Sequence, residues 1–291
     1  MSSHTGPVVV GYDGSEASRA ALQWATAQAV RGRAPLRIVQ SYELVVAMRP
    51  SPGAVVPLEE LQAAHKQGLE SVAESIRLRN PGLVVSSVLV HEPAAVTLVT
   101  ESETARTVVI GTRGLGGWSG LLVGSTSVQV AAHAQCPVVV VPADVRPRAR
   151  EKATVVVGVD GSKISAEAIA FAFDQAEATG AKVLAVHAWH SPASTYDGGL
   201  GPLMFDPVEI EEASRVLVAE SIAGAVADHP DVEVETRLIS GQRARALLMA
   251  AESADLLVVG SRGRGGFAGL LLGSVSQGVL HHAHCPVAIV R

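Results

Sequence analysis

Glycine, arginine and serine residues at a fixed spacing form the stretch of this sequence best suited to chemistry. Gly260, Arg262 and Gly263 follow a short run of leucine and valine, and nine residues then separate Gly263 from Gly273 and Ser274. The apolar run, the glycine-rich segment and the serine predict a strand, a loop and the start of a helix. Because backbone N–H groups at a helix N-terminus carry partial positive charge, such a unit can bind an anion, and phosphate in particular.

This unit occurs twice in the chain. Residues 111–142 and 260–291 are identical at 18 of 32 positions. A shorter motif also occurs twice, as Gly11-Tyr12-Asp13 and Gly158-Val159-Asp160. In each copy a valine run leads into glycine, one further residue and an aspartate. An offset of 147 residues between these motifs is far too long for a solenoid repeat. The sequence therefore predicts a duplicated domain.

Composition restricts the classes of protein to which the chain can belong. Of its 291 residues, 48% are hydrophobic and 18% are charged, as in a globular protein with a substantial core. The net charge of −5 differs from the basic footprint of a nucleic-acid-binding protein. No run of 18 apolar residues predicts a membrane span. Cys136 and Cys285 lie one in each half without a Cys-x-x-Cys partner, so we expect a reducing, cytoplasmic location.

Strand and helix patterns alternate in each half. They predict an α/β fold of two tandem, open, parallel five-stranded sheets with helices on both faces. We expect domain 1 at residues 1–142, a linker at 143–153 and domain 2 at 154–291. The predicted strands are Val8–Tyr12, Leu36–Ser41, Val84–His91, Thr107–Gly111 and Pro137–Val141, then Thr154–Val159, Lys182–Ala188, Val232–Ile239, Leu256–Gly260 and Pro286–Val290.

Ligands of open α/β sheets bind outside the carboxyl ends of the strands, so the loops after strands 1, 2 and 4 are expected to converge. The loop glycines have two interpretations: they supply positive φ and tight helix packing, or they let phosphates approach the backbone. Ser125 and Ser274 likewise either cap helices or turn hydroxyls towards phosphate. No lysine follows Gly124 or Gly273, which excludes a Walker A motif.

Histidine and cysteine lie close together near the end of the fourth helix of each half, and this raises the possibility of a metal site. The first half offers His133 and Cys136, and the second offers His281, His282, His284 and Cys285. A closed zinc site needs four ligands, and the first copy supplies two. We therefore predict no metal site and interpret the cysteines as small buried hydrophobic residues.

The motif Gly-x2-Gly-x9-Gly-Ser after strand 4, with an aspartate closing strand 1, resembles the universal stress protein family in its ATP-binding branch. The resemblance covers nearly the whole chain and implies an adenine nucleotide alpha hydrolase-like fold, with strand order 3-2-1-4-5. It also implies one ATP in each domain, with Mg2+ as a candidate companion ion. Where the family often has histidine at the end of strand 2, this sequence keeps His187 but carries Gln40.

The resemblance assigns roles to matching positions in both domains. Aspartate contacts the nucleoside, its two predecessors line the adenosine side, the end of strand 2 faces adenine, and the glycine loop with the following helix start holds the phosphates. These positions are Gly11, Tyr12, Asp13, Ser41, Gly111, Arg113, Gly114, Gly124, Ser125 and Thr126, then Gly158, Val159, Asp160, Ala188, Gly260, Arg262, Gly263, Gly273, Ser274 and Val275. Arg113 and Arg262 either neutralise phosphate or are solvated.

The expected function is therefore that of a nucleotide-dependent regulatory protein of the stress response. A slow ATPase is the enzymatic alternative, although no Asp or Glu occurs between Arg113 and Ser127 to act as a general base. An interaction module without nucleotide is the third. The resemblance also implies that the two domains pair through their fifth strands, and a homodimer of whole chains is left open.

Overall fold

The computed structural model describes residues 6–42, 58–114, 123–144, 152–189, 207–264 and 271–291. The chain divides into two compact units, Met1–Ala143 and Asp144–Arg291. Most of the predicted linker, and residues 43–57, 115–122, 190–206 and 265–270, lie outside the described residues.

Unit one is an open parallel sheet in the order β3-β2-β1-β4-β5. Its elements are β1 (Val8–Gly11), α1 (Glu16–Arg31), β2 (Leu36–Ser41), α2 (Leu58–Arg79), β3 (Val85–Val90), α3 (Ala94–Glu101), β4 (Thr107–Gly111), α4 (Ser125–His133) and β5 (Val138–Val141). Chain order runs outwards from β1 to β3 and then returns to β4. Right-handed crossovers therefore place α1 and α2 on one face and α3 and α4 on the other.

Unit two repeats this arrangement in the order β8-β7-β6-β9-β10. Its elements are β6 (Thr154–Gly158), α5 (Lys163–Thr179), β7 (Lys182–Trp189), α6 (Pro207–Asp228), β8 (Val234–Ser240), α7 (Arg243–Ala250), β9 (Leu256–Gly260), α8 (Ser274–His282) and β10 (Val287–Val290). Both units have the strand order that the resemblance implied. The predicted fold class is confirmed.

The core consists mainly of aliphatic side chains, with Phe173 also fully buried, and the central strands are covered on both faces. Val8, Val9 and Val10 in β1 are at most 1% exposed, which explains why this strand is a continuous apolar run instead of an alternating one. The outer strand β3 has one buried residue, Val85, and the neighbouring Val84 is 68% exposed. Burial thus decreases from the middle of the sheet towards β3.

The helices that follow the first strand of each unit begin with a serine cap. Ser15 Oγ accepts a hydrogen bond from Ser18 N in α1, and Ser162 Oγ accepts one from Ser165 N in α5, both at 3.1 Å. Ser15 and Ser162 are thus the N-caps of α1 and α5. The side chains satisfy N–H groups that a helix cannot satisfy internally.

Replacing Ser162 with alanine should lower the free energy of unfolding by about 1 kcal/mol, because the Ser165 N–H loses its acceptor. Urea unfolding followed by far-UV circular dichroism measures this change. The matched control is Ser162→Asn, which retains a side-chain acceptor and should remain close to the wild type. Equal destabilisation by both substitutions would contradict a capping role.

Candidate functional site

The strand order of unit one brings three loops to one edge of the sheet. β1 lies between β2 and β4, so Gly11, Ser41 and Gly111 end neighbouring strands at the same side. A cavity of about 260 Å³ opens there. All ten predicted site residues of the first domain line it: Gly11, Tyr12, Asp13, Ser41, Gly111, Arg113, Gly114, Gly124, Ser125 and Thr126. The geometry thus gathers positions that are spread over more than a hundred residues of sequence.

One wall of this cavity was not expected from the sequence. Ala94, Thr97 and Leu98 of α3 line it, together with Val39 and Ile110 at the ends of their strands. Leu98 and Thr97 are 3% and 5% exposed. These side chains are ordinary core residues in composition, so only the crossing of α3 over the sheet reveals that they face a ligand-sized space. They make one side of the cavity apolar.

Three glycines at strand ends are closely packed against other elements. A Cβ on Gly111 would lie 2.7 Å from the backbone carbon of Ala17 in α1, and one on Gly11 would lie 2.9 Å from Leu98 Cδ1. On Gly260 a Cβ would lie 2.8 Å from Ile164 Cγ2. The helix-packing interpretation is therefore confirmed at these strand ends.

The positive-φ interpretation is wrong for the motif glycines of the loops after strand 4. The glycines with positive φ among the described residues are Gly14, Gly82, Gly161, Gly180 and Gly241, and none belongs to the loop motif. Gly14 and Gly161 immediately follow the two motif aspartates, where the backbone turns into the next helix. Among the described residues of the site, positive φ is therefore required in the loop after strand 1, and the motif glycines after strand 4 have other reasons.

Aspartate at the end of the first strand holds the glycine loop close. A Cβ on Gly114 would lie 2.5 Å from Asp13 Oδ2, and one on Gly263 would collide with Asp160 Oδ2. Asp13 Oδ1 also accepts a 2.9 Å hydrogen bond from Ser15 N. Asp160 does the same for Ser162 N and accepts a 3.1 Å bond from Arg264 N. These aspartates do not serve as N-caps, because Ser15 and Ser162 occupy those positions.

The described surroundings of Gly124 do not require a glycine before α4. Its φ of −75° and ψ of 156° suit any residue, and a Cβ there would come no closer than 3.5 Å to another atom of the described residues. Gly124, and not Ser125, is the N-cap, and no side chain of the described residues caps this helix. Within the described part of the chain, the first-turn N–H groups therefore have neither an intrahelical partner nor a side-chain cap. The glycine adds no side chain in front of them.

Gly273 repeats this arrangement in unit two. It is the N-cap of α8, with φ of −75°, ψ of 161° and no side-chain cap among the described residues, and its Cβ would come no closer than 3.5 Å to other atoms. The helices after the first strands have serine caps, whereas those after the fourth strands do not. Both units thus present bare helix N-termini at the ligand edge of their sheets.

The third residue of each of these helices connects the helix to the sheet. Ser127 Oγ donates a 2.8 Å hydrogen bond to the Gly111 carbonyl, and Ser276 Oγ donates one of the same length to the Gly260 carbonyl. Both serines are buried. These hydroxyls hold the helix against strand 4, and the N-caps are Gly124 and Gly273, so of the two interpretations of the helix-start serines the capping one is wrong. Ser125 and Thr126 line the cavity.

The predicted residues of the second domain occupy corresponding positions. Gly158 ends β6, Ala188 is the penultimate residue of β7, and Gly260 ends β9, next to the loop that contains Arg262 and Gly263. Val159 and Ala188 are 4% and 8% exposed. Gly273, Ser274 and Val275 form the start of α8.

Different arginines contact the loop after the first strand in the two units. Arg264 Nη2 donates to the Gly161 carbonyl at 3.1 Å, so in unit two the cation comes from the glycine loop. In unit one Arg19 of α1 donates to the corresponding Gly14 carbonyl at 2.5 Å. The residue of unit one that matches Arg264 in sequence, Leu115, lies outside the described residues.

The second site also has a concentration of positive charge. Burial, and secondarily the neighbouring charge of Arg262, lower the pKa of the Arg291 guanidinium. Arg291 follows β10, and Arg262 follows the adjacent strand β9. Two like charges at neighbouring strand ends repel one another, so an anion bound between them is favoured electrostatically.

Neither the described histidines nor the described cysteines form a metal centre. Among the described residues, no group of three or more His, Cys, Asp or Glu side chains is arranged to hold an ion. Cys136 and Cys285 are free and buried. Burial raises the pKa of the Cys136 thiol to about 12, so it is protonated and a poor ligand or nucleophile near neutral pH.

In the described part of the chain, no helix combines the length and apolar character of a membrane span.

Comparison with known proteins agrees with this geometry. The sequence profile of the universal stress protein family matches residues 4–142 and 153–291. A universal stress protein of Mycolicibacterium smegmatis is 38% identical over 289 residues, covering 98% of this chain and 96% of that protein. One from Mycobacterium tuberculosis H37Rv is 37% identical over 290 residues, with the same coverage. The crystal structure of an Archaeoglobus fulgidus universal stress protein has the same fold, with a TM-score of 0.69, 22% identity and coverage of 99% and 98%. The chain belongs to the universal stress protein family.

Proposed function

We propose that each domain binds one adenine nucleotide, with ATP as the ligand, and that binding regulates the surface which the protein offers to a partner in the stress response. The observation that carries this proposal is the bare helix N-terminus behind Gly124, which is repeated behind Gly273. Free first-turn N–H groups attract phosphate through hydrogen bonds and the helix dipole. A glycine that neither backbone nor packing requires leaves space for phosphate oxygens.

The other end of the cavity suits a nucleoside. Val39, Ala94 and Leu98 supply apolar walls for a base, and Asp13 lies between them and the glycine loop. The Ser41 hydroxyl already donates to the Glu92 carbonyl, so the proposal assigns base recognition to the main chain of Ser41. A carboxylate that accepts hydrogen bonds from ribose hydroxyls is the role proposed for Asp13 and for Asp160.

Mg2+ would enter mainly as part of the nucleotide. Asp13 is the residue with a carboxylate among the described residues that line the cavity, and its Oδ1 already accepts a bond from Ser15 N. Mg2+ keeps several water ligands and readily binds substrate phosphates. Phosphate oxygens and water would therefore supply most of the Mg2+ ligands, in place of the carboxylates of a dedicated metal site.

The lining favours binding over catalysis. His133 and His282 lie in the last turns of α4 and α8, at the opposite ends from the phosphate-binding termini. The described cavity residues include neither histidine nor glutamate, and the proposal assigns the carboxylate of Asp13 to the ribose. Rapid hydrolysis would need a base within hydrogen-bond reach of the attacking water. We therefore propose a regulatory nucleotide-binding protein, with slow ATP hydrolysis as the alternative.

Isothermal titration calorimetry with ATP and MgCl2 tests the proposal directly. The expected result is saturable heat with two nucleotides per chain, and co-purified adenine nucleotide in the mass spectrum of the denatured protein. CTP serves as the control for base recognition. If ATP gives no heat at millimolar concentration and the purified protein contains no nucleotide, the interaction-module alternative is favoured.

Three further predictions from the sequence stay predictions. They are the pairing of the two domains through their fifth strands, a homodimer of whole chains, and a cytoplasmic location. Small-angle X-ray scattering tests the first, because two separated domains would give a longer maximum dimension than a paired arrangement. Analytical ultracentrifugation tests the second, and fractionation of cells tests the third.

A further inference from the structure

Unit one has a second cavity on the α2 side of its sheet. Its volume is about 340 Å³. Tyr12, Asp13 and Gly14 line it from the loop after β1, Gln40 lines it from β2, and the face of α2 that carries His65 and Gly68 closes it. Tyr12 and Asp13 also line the proposed nucleotide cavity, so the loop after β1 separates the two spaces. This volume lies within the range of about 300–1,000 Å³ that is typical of small-molecule sites.

Gly68 is unusual because it lies in the middle of a 22-residue helix. Glycine is unfavourable in helix interiors, since it has more conformational freedom to lose than alanine. A Cβ on Gly68 would meet no atom of the described residues within 4 Å, and its φ is not positive. Neither packing nor backbone conformation therefore requires glycine here. Its effect is to leave open the space between α2 and the loop after β1.

The matching helix of unit two carries a leucine at the position of Gly68. α6 also has 22 residues, and its buried Val218 matches Leu69 of α2. In this register Leu217 replaces Gly68. The Leu217 Cδ1 atom lies 3.2 Å from where a Cβ of Gly161 would be, whereas a Cβ on the equivalent Gly14 would meet nothing within 4 Å. Arg264 and Leu217 together border this position in unit two, and among the described residues of unit one no side chain takes the place of the leucine.

The polar residues around this position also differ. In unit one Gln40 Nε2 lies 3.3 Å from His65 Nδ1. Their counterparts in unit two bond to the backbone instead: His187 Nδ1 lies 2.7 Å from the Val159 carbonyl oxygen, and Ser214 Oγ donates to the Ile210 carbonyl at 2.8 Å. A carboxamide and an imidazole carry additional donor and acceptor atoms. Domain 1 thus places a pair of hydrogen-bonding side chains beside the open volume.

We propose that this cavity is a second ligand site, specific to the first domain, for a small uncharged heteroaromatic molecule of nucleobase size. Leu61, Leu69 and Val72 supply apolar contact for a ring. Gln40 and His65 offer donor and acceptor groups to a ring edge. Asp13 is the residue with a formal charge among the described lining residues, and the Arg19 guanidinium that donates to the Gly14 carbonyl offsets it, so an uncharged ligand is favoured. The site is separate from the phosphate-binding terminus of α4 and does not depend on it.

Saturation-transfer NMR with hypoxanthine, cytosine and nicotinamide as probes tests this inference. At least one probe should receive saturation from the wild-type protein, and its binding should shift the His65 imidazole resonance, which Gln replacement of His65 identifies in a 1H–13C spectrum. Gly68→Leu should weaken binding at least about tenfold, because the leucine fills the cavity as Leu217 does in domain 2. Gly68→Ala is the matched control and should bind as the wild type does.

The inference is overturned if no probe binds the wild type at millimolar concentration, if the bound probe leaves the His65 resonance unchanged, or if Gly68→Leu binds as well as Gly68→Ala. Circular dichroism verifies that both variants fold, and leucine and alanine are better helix formers than glycine. ATP titration of the same variants separates the two proposals. Gly68→Leu should retain the ATP binding of the wild type, so either site can fail without the other.

Discussion

Gly124→Glu is expected to abolish nucleotide binding by the first domain while leaving the domain folded. The backbone conformation of Gly124 suits glutamate, and the nearest described atom to a Cβ there is the Thr112 carbonyl oxygen at 3.5 Å, an ordinary van der Waals contact. The new carboxylate would stand in front of the bare N-terminus of α4, where it would occupy the N–H groups and repel phosphate. The dissociation constant of this site should rise at least about 100-fold, which corresponds to about 2.7 kcal/mol.

Calorimetry measures this change as a stoichiometry. Gly124→Glu should leave one ATP per chain, and combination with Gly273→Glu should leave none. Gln129→Glu is the matched control: it adds the same charge on the exposed face of α4, one turn further along. It should leave two sites. Retention of two tight sites by the double glutamate variant would refute phosphate binding at these termini.

Gly111→Ala should destabilise the first domain by about 1–3 kcal/mol, because the added methyl group would overpack the contact between β4 and α1. Its Cβ would lie 2.7 Å from the backbone carbon of Ala17 and 2.9 Å from the Ala17 carbonyl oxygen. Backbone cannot move aside as a side chain can, so the helix itself must shift. Urea unfolding monitored by circular dichroism measures the loss.

Two other glycines provide the comparison for Gly111. Gly68→Ala adds a methyl group where nothing lies within 4 Å and should stabilise the domain by up to about 1 kcal/mol through helix propensity. Gly260→Ala meets the Cγ2 atom of Ile164, a side-chain atom, and should cost less than Gly111→Ala. Equal unfolding midpoints for all three variants would show that the close approach at Gly111 does not limit stability.

Much of the fold could be predicted because its signals are local. The valine runs of β1 and β4 are buried on both faces, and such strands appear in sequence as continuous apolar segments. The repetition of the motifs at a long offset predicted two domains, and each sheet has the strand order that the resemblance implied. The gathering of the first domain's candidate residues around one cavity follows from the same order.

The roles of individual residues were harder to predict, because one residue type serves several physical purposes. Gly111 allows a helix to approach, Gly114 allows a carboxylate to approach, and Gly124 leaves space in front of a helix. Ser15 is a cap, whereas Ser127 connects a helix to a strand. The residue type alone does not distinguish these roles of glycine and serine. The neighbours that separate these roles come from distant parts of the chain.

The duplicated α/β architecture, the loops that converge at one edge of the sheet and the family could all be predicted without a structure, since these depend on periodicity and on residues close together along the chain. Tertiary structure alone decided that α3 supplies a wall of the first cavity and that Gly68 opens a second one. Side chains from separate elements enclose both spaces. The shape of a cavity depends on the side chains around it, and these come together only when the helices and strands pack.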